Sequence, residues 1–384
     1  MLHNVYSLWA VCLQFLFRLF PINNHKVLSF NYGGHGYGDN GKYVCDALIS
    51  KDKNICVIWP LSTGHKLGLA PANVKAVKFH SISFFYHLAT AKIWLSNSRV
   101  PIYFHKRKNQ YYIQLWHGVP ALKRIEADAQ DSLSNSYIQC AKHDSKLADL
   151  FISNSKYWTN FIRKTFWYNG SILECGTPRL DRLINRNAEI KKRIRTKLNI
   201  AESHVVLYAP TFRKDMTLDC YSLEYLNLKH ALEEKTRESW HVCVRLHPNM
   251  TSSGVVLPQI EGVTDCSKHA DMYELMEMAD LLITDYSSTM FEAGFANIPV
   301  ILFATDIEKY RRDRNFYFNL TELPYPLVTS NERLFEKIKY WNNKTYTQAV
   351  SQFNHKLGIK EFGRASQELA QHILHVMGLE RKIK

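Results

Sequence analysis

Short apolar runs alternate with segments of helical spacing along most of this chain, the pattern of an α/β protein with mainly parallel sheets. In the first half, Val27 to Tyr32 reads as a strand, and a helix from about Lys42 to Ile49 follows it. Further strands fall at Ile55 to Trp59, Ala76 to Phe79, Ile93 to Ser96, Tyr112 to Leu115, Leu150 to Ser153 and Ile172 to Cys175. A charged helical segment with little apolar face, Ala188 to Leu198, marks a domain boundary. The alternation then restarts, with strands at Val205 to Ala209, His241 to Arg245, Val263 to Thr264, Leu281 to Thr284 and Val300 to Phe303. Helices are expected around Leu223 to Glu234, Met272 to Met278 and Thr289 to Phe295, and the tail from about Asn331 is helical in pattern. The expected organisation is an apolar N-terminal helix at 1–24, a Rossmann-like domain at 25–185 and a second at 186–384 that includes the C-terminal helices. Two such α/β halves imply a central cleft that both face. No internal repeat or low-complexity tract interrupts them.

Composition sharpens this picture. The chain has 384 residues, 46% hydrophobic, enough to bury two cores. Its formal charge of +14 points to anionic partners: nucleic acid, acidic phospholipid or a phosphorylated substrate. No nucleic-acid motif and no basic stripe interleaved with aromatics is present, so nucleic acid is not the expected partner. The eight cysteines are scattered without a C-x-x-C pair and several lie inside apolar runs, as buried thiols in a reducing compartment do. Met1 to Phe20 is too short and too polar for a membrane span, and lacks the basic start and cleavage site of a secretory signal. Trp9, Leu13, Leu16, Phe17 and Phe20 share a helical spacing that suits either a helix in the bilayer interface or one packed on the protein's own core.

Ligands of open parallel sheets bind at the carboxyl ends of strands, so the polar residues just past each strand are the candidates for chemistry. They are His117 in Trp116-His117-Gly118-Val119-Pro120, Arg179 in Gly176-Thr177-Pro178-Arg179, Thr211 and Arg213 in Pro210-Thr211-Phe212-Arg213, Arg245 and His247 in Arg245-Leu246-His247-Pro248, and Ser287-Ser288. Two histidines, three arginines and several hydroxyls from separate strands fit a phosphorylated ligand. Taken singly, each has an ordinary structural reading as well: a turn histidine, a solvated arginine, a cap. Ser287 and Ser288 precede a helix whose first amides and dipole suit a phosphate, and the same serines suit a plain N-cap. Gly36, Gly38 and Gly41 formally satisfy G-x-G-x-x-G. Trp59-Pro60 stands where a dinucleotide site wants an acidic residue, so the glycine loop is read as lining the cleft.

Five blocks in order resemble the signatures of the CDP-glycerol glycerophosphotransferases, the teichoic-acid primases and polymerases with related capsule enzymes. They are Gln114 to Pro120, Gly176 to Asp181, Tyr208 to Arg213, Arg245 to Pro248, and Ile283 to Ser288 followed by Phe291. With Gly38-Asp39-Asn40 ahead of them, the resemblance runs to about Tyr310. It implies a GT-B-like fold and transfer of glycerol phosphate, or ribitol phosphate, from CDP-glycerol or CDP-ribitol to an acceptor hydroxyl, with release of CMP. It also implies that the donor meets His117, Gly118, Val119, Pro120, Ala121, Arg179, Pro210, Thr211, Arg245, Leu246, His247, Ser287, Ser288 and the acidic residue at 292. Family members usually have Asp at that last position, whereas this chain has Glu292. Position 119 has Val where a small hydroxyl residue is common.

Phosphoryl chemistry of this kind relies on positioning and electrostatics. His117 is read as the general base on the acceptor side, with His247, Arg245, Arg179 and the serine pair holding the phosphate and the leaving group. No cofactor is required by these residues. Asp285 is a candidate Mg²⁺ ligand, but no acidic pair is spaced as a metal site, and metal dependence stays open. The acceptor implied is a lipid-linked saccharide or polyol phosphate, which places the enzyme peripherally on the anionic cytoplasmic face of a membrane. The alternative on the same fold is a glycosyltransferase using a nucleotide sugar.

Overall fold

The computed structural model describes residues 2–200, 203–213, 222–246, 250, 257, 259–269, 271–309 and 316–379. The first sheet is built from β1 (Asn23–Phe30), β2 (Cys56–Leu61), β3 (Val74–Lys78), β4 (Ala91–Ser96), β5 (Tyr111–Gln114), β6 (Leu150–Ser153) and β7 (Ser171–Glu174). All pairings are parallel, in the order β3-β2-β1-β4-β5-β6-β7. The second sheet holds β8 (His204–Tyr208), β9 (Trp240–Val244), β10 (Val263–Asp265), β11 (Leu281–Thr284), β12 (Val300–Phe303) and β13 (Leu327–Val328). It too is parallel throughout, in the order β10-β9-β8-β11-β12-β13. Every strand expected from the apolar runs is present, within two residues at either end for all but β1, which begins at Asn23. The two-residue β13 was not read from sequence, because Leu327-Val328 is too short to show a period.

Helices begin where short polar side chains can accept an orphan amide. Ser81 accepts from Phe84 N–H, Ser134 from Tyr137, Ser155 from Trp158, Asp271 from Tyr273 and Ser330 from Arg333. Two of the last helices, Asn343–Leu357 and Ala365–Met377, stop at Gly358 and Gly378, both in the left-handed conformation that glycine adopts without strain.

The chain divides into two compact units. One is Met1–His117, Ile125–Asp181 and Ile359–Lys384; the other is Gly118–Arg124 and Arg182–Gly358. The break at Asp181 lies close to the expected boundary at 185. The tail differs from the expectation that gives all of 186–384 to one domain. Leu369, Ala370, Ile373, Leu374 and Met377 of the last helix join the first unit's core with Val44, Ala47 and Leu48 of the helix Asp39–Lys51. Their spacing makes one apolar stripe, and burying it against the matching stripe of the earlier helix is what draws the tail back.

The N-terminal helix Leu2–Leu16 packs on the protein through one side. Ala10 and Gln14 are buried, and Gln14 donates to Tyr103 O at 2.8 Å and accepts from His105 N–H at 3.0 Å. Meanwhile Leu8, Phe15, Leu16 and Leu19 are exposed, Leu19 by 82%. Among the described residues no helix is long and apolar enough to cross a membrane.

Candidate active site

Strand order reverses between β1 and β4 in the first sheet, and the residues leaving those strands and β5 meet there. Buried Asn97, just past β4, accepts Tyr32 N–H at 2.9 Å and donates to Asn31 Oδ1 at 2.9 Å. Beyond β5 the chain turns at Trp116, whose φ of +50° is a strained value for a bulky residue. That turn is held from both sides: Trp116 N–H donates to Gln114 Oε1 at 3.0 Å, and Asn40 Nδ2 donates to Trp116 O at 3.0 Å.

His117 follows. Its Nδ1 lies 2.5 Å from Asn97 O. A carbonyl only accepts, so Nδ1 carries the proton and Nε2 is the basic nitrogen of the ring. The imidazole stacks on Trp116 at 4.5 Å and meets the edge of Tyr32 at 5.3 Å. Burial lowers its pKa below the ordinary value; the Asn97 carbonyl and Asp39 oppose this, and Arg179 adds to it.

Arg179 is buried, and the structure shows what occupies it. Its guanidinium pairs with Asp39 at 2.7 Å and donates to His117 O at 2.8 Å, while its amide donates to Asn40 Oδ1 at 3.1 Å. Asn40 thus joins the Trp116 and Arg179 loops through backbone bonds. Neither Asn40 nor Asn97 is among the candidates the sequence offers. The strand-end rule that found His117 applies equally to Asn97, which stands one residue past β4.

The glycine loop has a packing function. A Cβ on Gly34, at φ +114°, would lie 2.8 Å from Ser62 N, and one on Gly41 would lie 2.7 Å from Ser29 Oγ. Without a Cβ, Gly34 and Gly41 let the chain pack closely on Ser62 and Ser29.

In the second unit the order reverses between β8 and β11, and the loops past both are tied by Asp285. Thr211 N–H and Oγ1–H donate to Asp285 Oδ1 at 2.8 and 2.6 Å, and Tyr286 N–H to the same oxygen at 2.7 Å. Buried Arg213 donates to Asp285 Oδ2 at 2.7 Å and to Asp306 Oδ2 at 2.7 Å, with its guanidinium 4.8 Å from the Tyr286 ring centroid. These carboxylates raise the Arg213 pKa against the opposing effect of burial, the largest single contribution. The sequence reading offers Arg213 and Asp285 to ligand and metal; the structure spends them on each other. Asp285 thus ties Thr211, Tyr286 and Arg213 together. Among the described residues no group of three or more His, Cys, Asp or Glu is placed to hold a metal.

Ser287 and Ser288 are half-buried ahead of the helix Thr289–Phe295, and Ser288 makes no side-chain cap bond. Ser287 Oγ accepts from Thr289 Oγ1 at 2.8 Å. Glu292 is buried and accepts Tyr273 O–H at 2.7 Å. Arg245, at the carboxyl end of β9, donates to His269 O at 2.8 Å, and burial lowers its pKa. Leu246 is buried and gives its amide to Ser267 Oγ at 3.0 Å. Pro210 is buried beside half-exposed Thr211. Gly118, Val119, Pro120 and Ala121 fall in the second unit, where a Cβ on Gly118 would stand 3.7 Å from Ser288 Oγ. Tyr317 N–H donates to Leu122 O at 2.9 Å there. His247 lies outside the described residues. A further network escaped the sequence reading: Arg182 pairs with Glu277 and with Glu274 at 3.3 Å, and Glu274 meets His269 Nε2 at 3.0 Å.

The profile of one protein family, described as CDP-Glycerol:Poly(glycerophosphate) glycerophosphotransferase, matches residues 12–375. A teichoic acid poly(glycerol phosphate) polymerase of Staphylococcus epidermidis is 32% identical over 359 residues, covering 89% of this chain and 49% of the relative. This chain therefore spans about half the length of that polymerase. Another of the same description, from Bacillus spizizenii, is 28% identical and covers 93% of each chain. Among solved structures, the wall teichoic acid polymerase TagF, in a histidine-to-asparagine variant soaked with CDPG, superposes with a TM-score of 0.83 at 29% identity. That match covers 96% of this chain and 94% of the other.

Proposed function

Because the chain belongs to the CDP-glycerol:poly(glycerophosphate) glycerophosphotransferase family, with the GT-B-like α/β fold, we propose that it transfers glycerol phosphate or ribitol phosphate from a CDP-alditol to an acceptor hydroxyl and releases CMP. The reaction is a step of teichoic acid or capsule biosynthesis. The observation that carries the mechanism is the His117 ring, whose Nδ1–H is anchored on Asn97 O and whose Nε2 is the basic nitrogen. Nε2 accepts the proton of the acceptor hydroxyl as its oxygen attacks the alditol-bearing phosphorus. The bond from that phosphorus to the bridging oxygen breaks, and CMP departs with the electron pair.

On the donor side, Arg245, His247, Thr211 and the Ser287-Ser288 pair supply the positive and hydrogen-bonding groups that a departing CMP phosphate requires. Gly118, Val119, Pro120, Ala121, Pro210 and Leu246 shape the backbone around the nucleotide. Arg179 and Glu292 act from buried positions, and a direct bond from Arg179 to substrate costs one of the bonds it makes to Asp39 or His117. The lipid-linked saccharide or polyol-phosphate acceptor accounts for the exposed Leu8, Phe15, Leu16 and Leu19 beside Arg18, which suit peripheral docking on an anionic cytoplasmic leaflet.

A donor screen tests the reading. CMP release should occur with CDP-glycerol or CDP-ribitol, with mass spectrometry showing the acceptor heavier by one alditol phosphate. Nucleotide release from UDP- or GDP-sugars in place of CDP-alditols would turn the assignment to a glycosyltransferase.

A further inference from the structure

The chain's return to the first unit runs directly under the loop that carries Arg179. Ile359 bridges Ser155 in antiparallel fashion, Lys360 N–H donates to Asn154 O at 2.7 Å, and Lys360 Nζ pairs with Glu174 at 2.5 Å. Glu361 then grips a single threonine with both oxygens: Thr177 Oγ1–H donates to Oε1 at 2.6 Å and Thr177 N–H to Oε2 at 3.0 Å. The fit is close enough to dictate the neighbouring residue. A Cβ on Gly176, at φ +97°, would lie 3.0 Å from Glu361 Oε2.

Thr177 opens the short turn Pro178–Leu180 without capping it through its own side chain, which Glu361 holds instead. The far end of the turn is held by the same return segment. Asp181 accepts Ala365 N–H at 2.9 Å and Ser366 N–H at 2.7 Å, and Ser366 Oγ donates to Pro178 O at 3.1 Å. Between these two ties sits Arg179, whose guanidinium reaches His117 O. Burial pushes the Glu361 carboxyl up to about 7, with Asp181 adding to that rise. Both oxygens of that carboxyl are committed to Thr177.

We propose that Glu361 is a positioning residue for His117, acting through Thr177 and Arg179. The proposal rests on the reading of His117 as the general base.

It makes a prediction that does not depend on turnover. The charged groups facing His117 are Asp39 and Glu126, which raise its pKa, and Arg179, which lowers it. The charged group acting on Glu361 is Asp181, which raises its pKa further. When Arg179 is no longer held, its lowering effect goes and Asp39 loses its partner, so the imidazole should titrate higher. Glu361→Gln removes the same charge as Glu361→Ala but keeps an acceptor for Thr177 N–H and a donor for its hydroxyl, so the pair separates the bonds from the charge.

The experiment is an NMR titration of the His117 imidazole in the full chain, with the resonance assigned by its loss in His117→Gln. Glu361→Ala should raise the titration midpoint by about half a unit or more, and Glu361→Gln should leave it in place. Should Glu361→Ala fail to fold, Thr177→Val removes the hydroxyl half of the grip and should shift the midpoint the same way. In parallel, kcat for CMP release from CDP-glycerol or CDP-ribitol should fall about tenfold in Glu361→Ala with KM for the donor little changed, and recover in Glu361→Gln. A His117 midpoint that does not move in Glu361→Ala or Thr177→Val overturns the proposal. If the wild-type protein released no CMP from either donor, the functional reading would fall, while the titration would still decide what Glu361 does.

Discussion

Removing the His117 imidazole tests the chemistry most directly. His117→Ala deletes Nε2, leaves the Asn97 carbonyl without its donor, and exposes one face of Trp116. A general base contributes about 10²–10⁴-fold, or about 3–5 kcal/mol of transition-state stabilisation at 1.36 kcal/mol per decade. The substitution should therefore lower kcat for CMP release by that factor while donor affinity, measured by calorimetry, changes little. The pH profile adds a signed check. A base works unprotonated, and burial holds the His117 pKa below the ordinary 6.5. The acid limb of kcat/KM should therefore lie below 6.5, with the rate steady as pH rises from there toward neutrality. It should vanish in the variant. Turnover within tenfold of wild type, or an acid limb that survives the substitution, would refute the assignment.

Three other outcomes are expected. Arg213→Met strands the buried Asp285 carboxylate and should cost about 3–5 kcal/mol in denaturant unfolding; an unchanged midpoint with weakened donor binding would make Arg213 a ligand contact instead. The double change Ser287→Ala/Ser288→Ala should weaken CDP-glycerol binding about tenfold by calorimetry, and equal affinity would leave the serines as no more than the start of a helix. Asn40→Asp keeps the acceptor for Arg179 N–H, loses the donor to Trp116 O and adds negative charge beside His117. Its acid limb should move to higher pH, and a profile identical to wild type would sink the role given to Asn40.

The strands, the two sheets and the strand-end positions of the candidate residues were legible because each is a local property. A run such as Leu281 to Thr284 is buried on both faces, and its composition says so. The partners of those residues were not legible. Arg179 meets Asp39 across 140 positions of sequence and Arg213 meets Asp285 across 72, and nothing in the local pattern couples them. The same limit explains why the final helix was assigned to the wrong half. Its apolar stripe announces that it packs, without naming the surface that receives it. Charge carried no partner information either: Arg179 and Arg213 look like hands for phosphate in the sequence, and in the fold each also pairs with a carboxylate.

The doubling back at Ile359 also dictates an order of events during synthesis. All of the second unit's strands leave the ribosome before Leu369, Ile373 and Met377 do, so the core around Val44 and Leu48 stays incomplete until the last helix emerges. The amino-terminal unit therefore cannot be completed before the rest of the chain is made. A nascent chain stalled short of residue 365 would carry every strand of both sheets yet lack the helix that completes the first core.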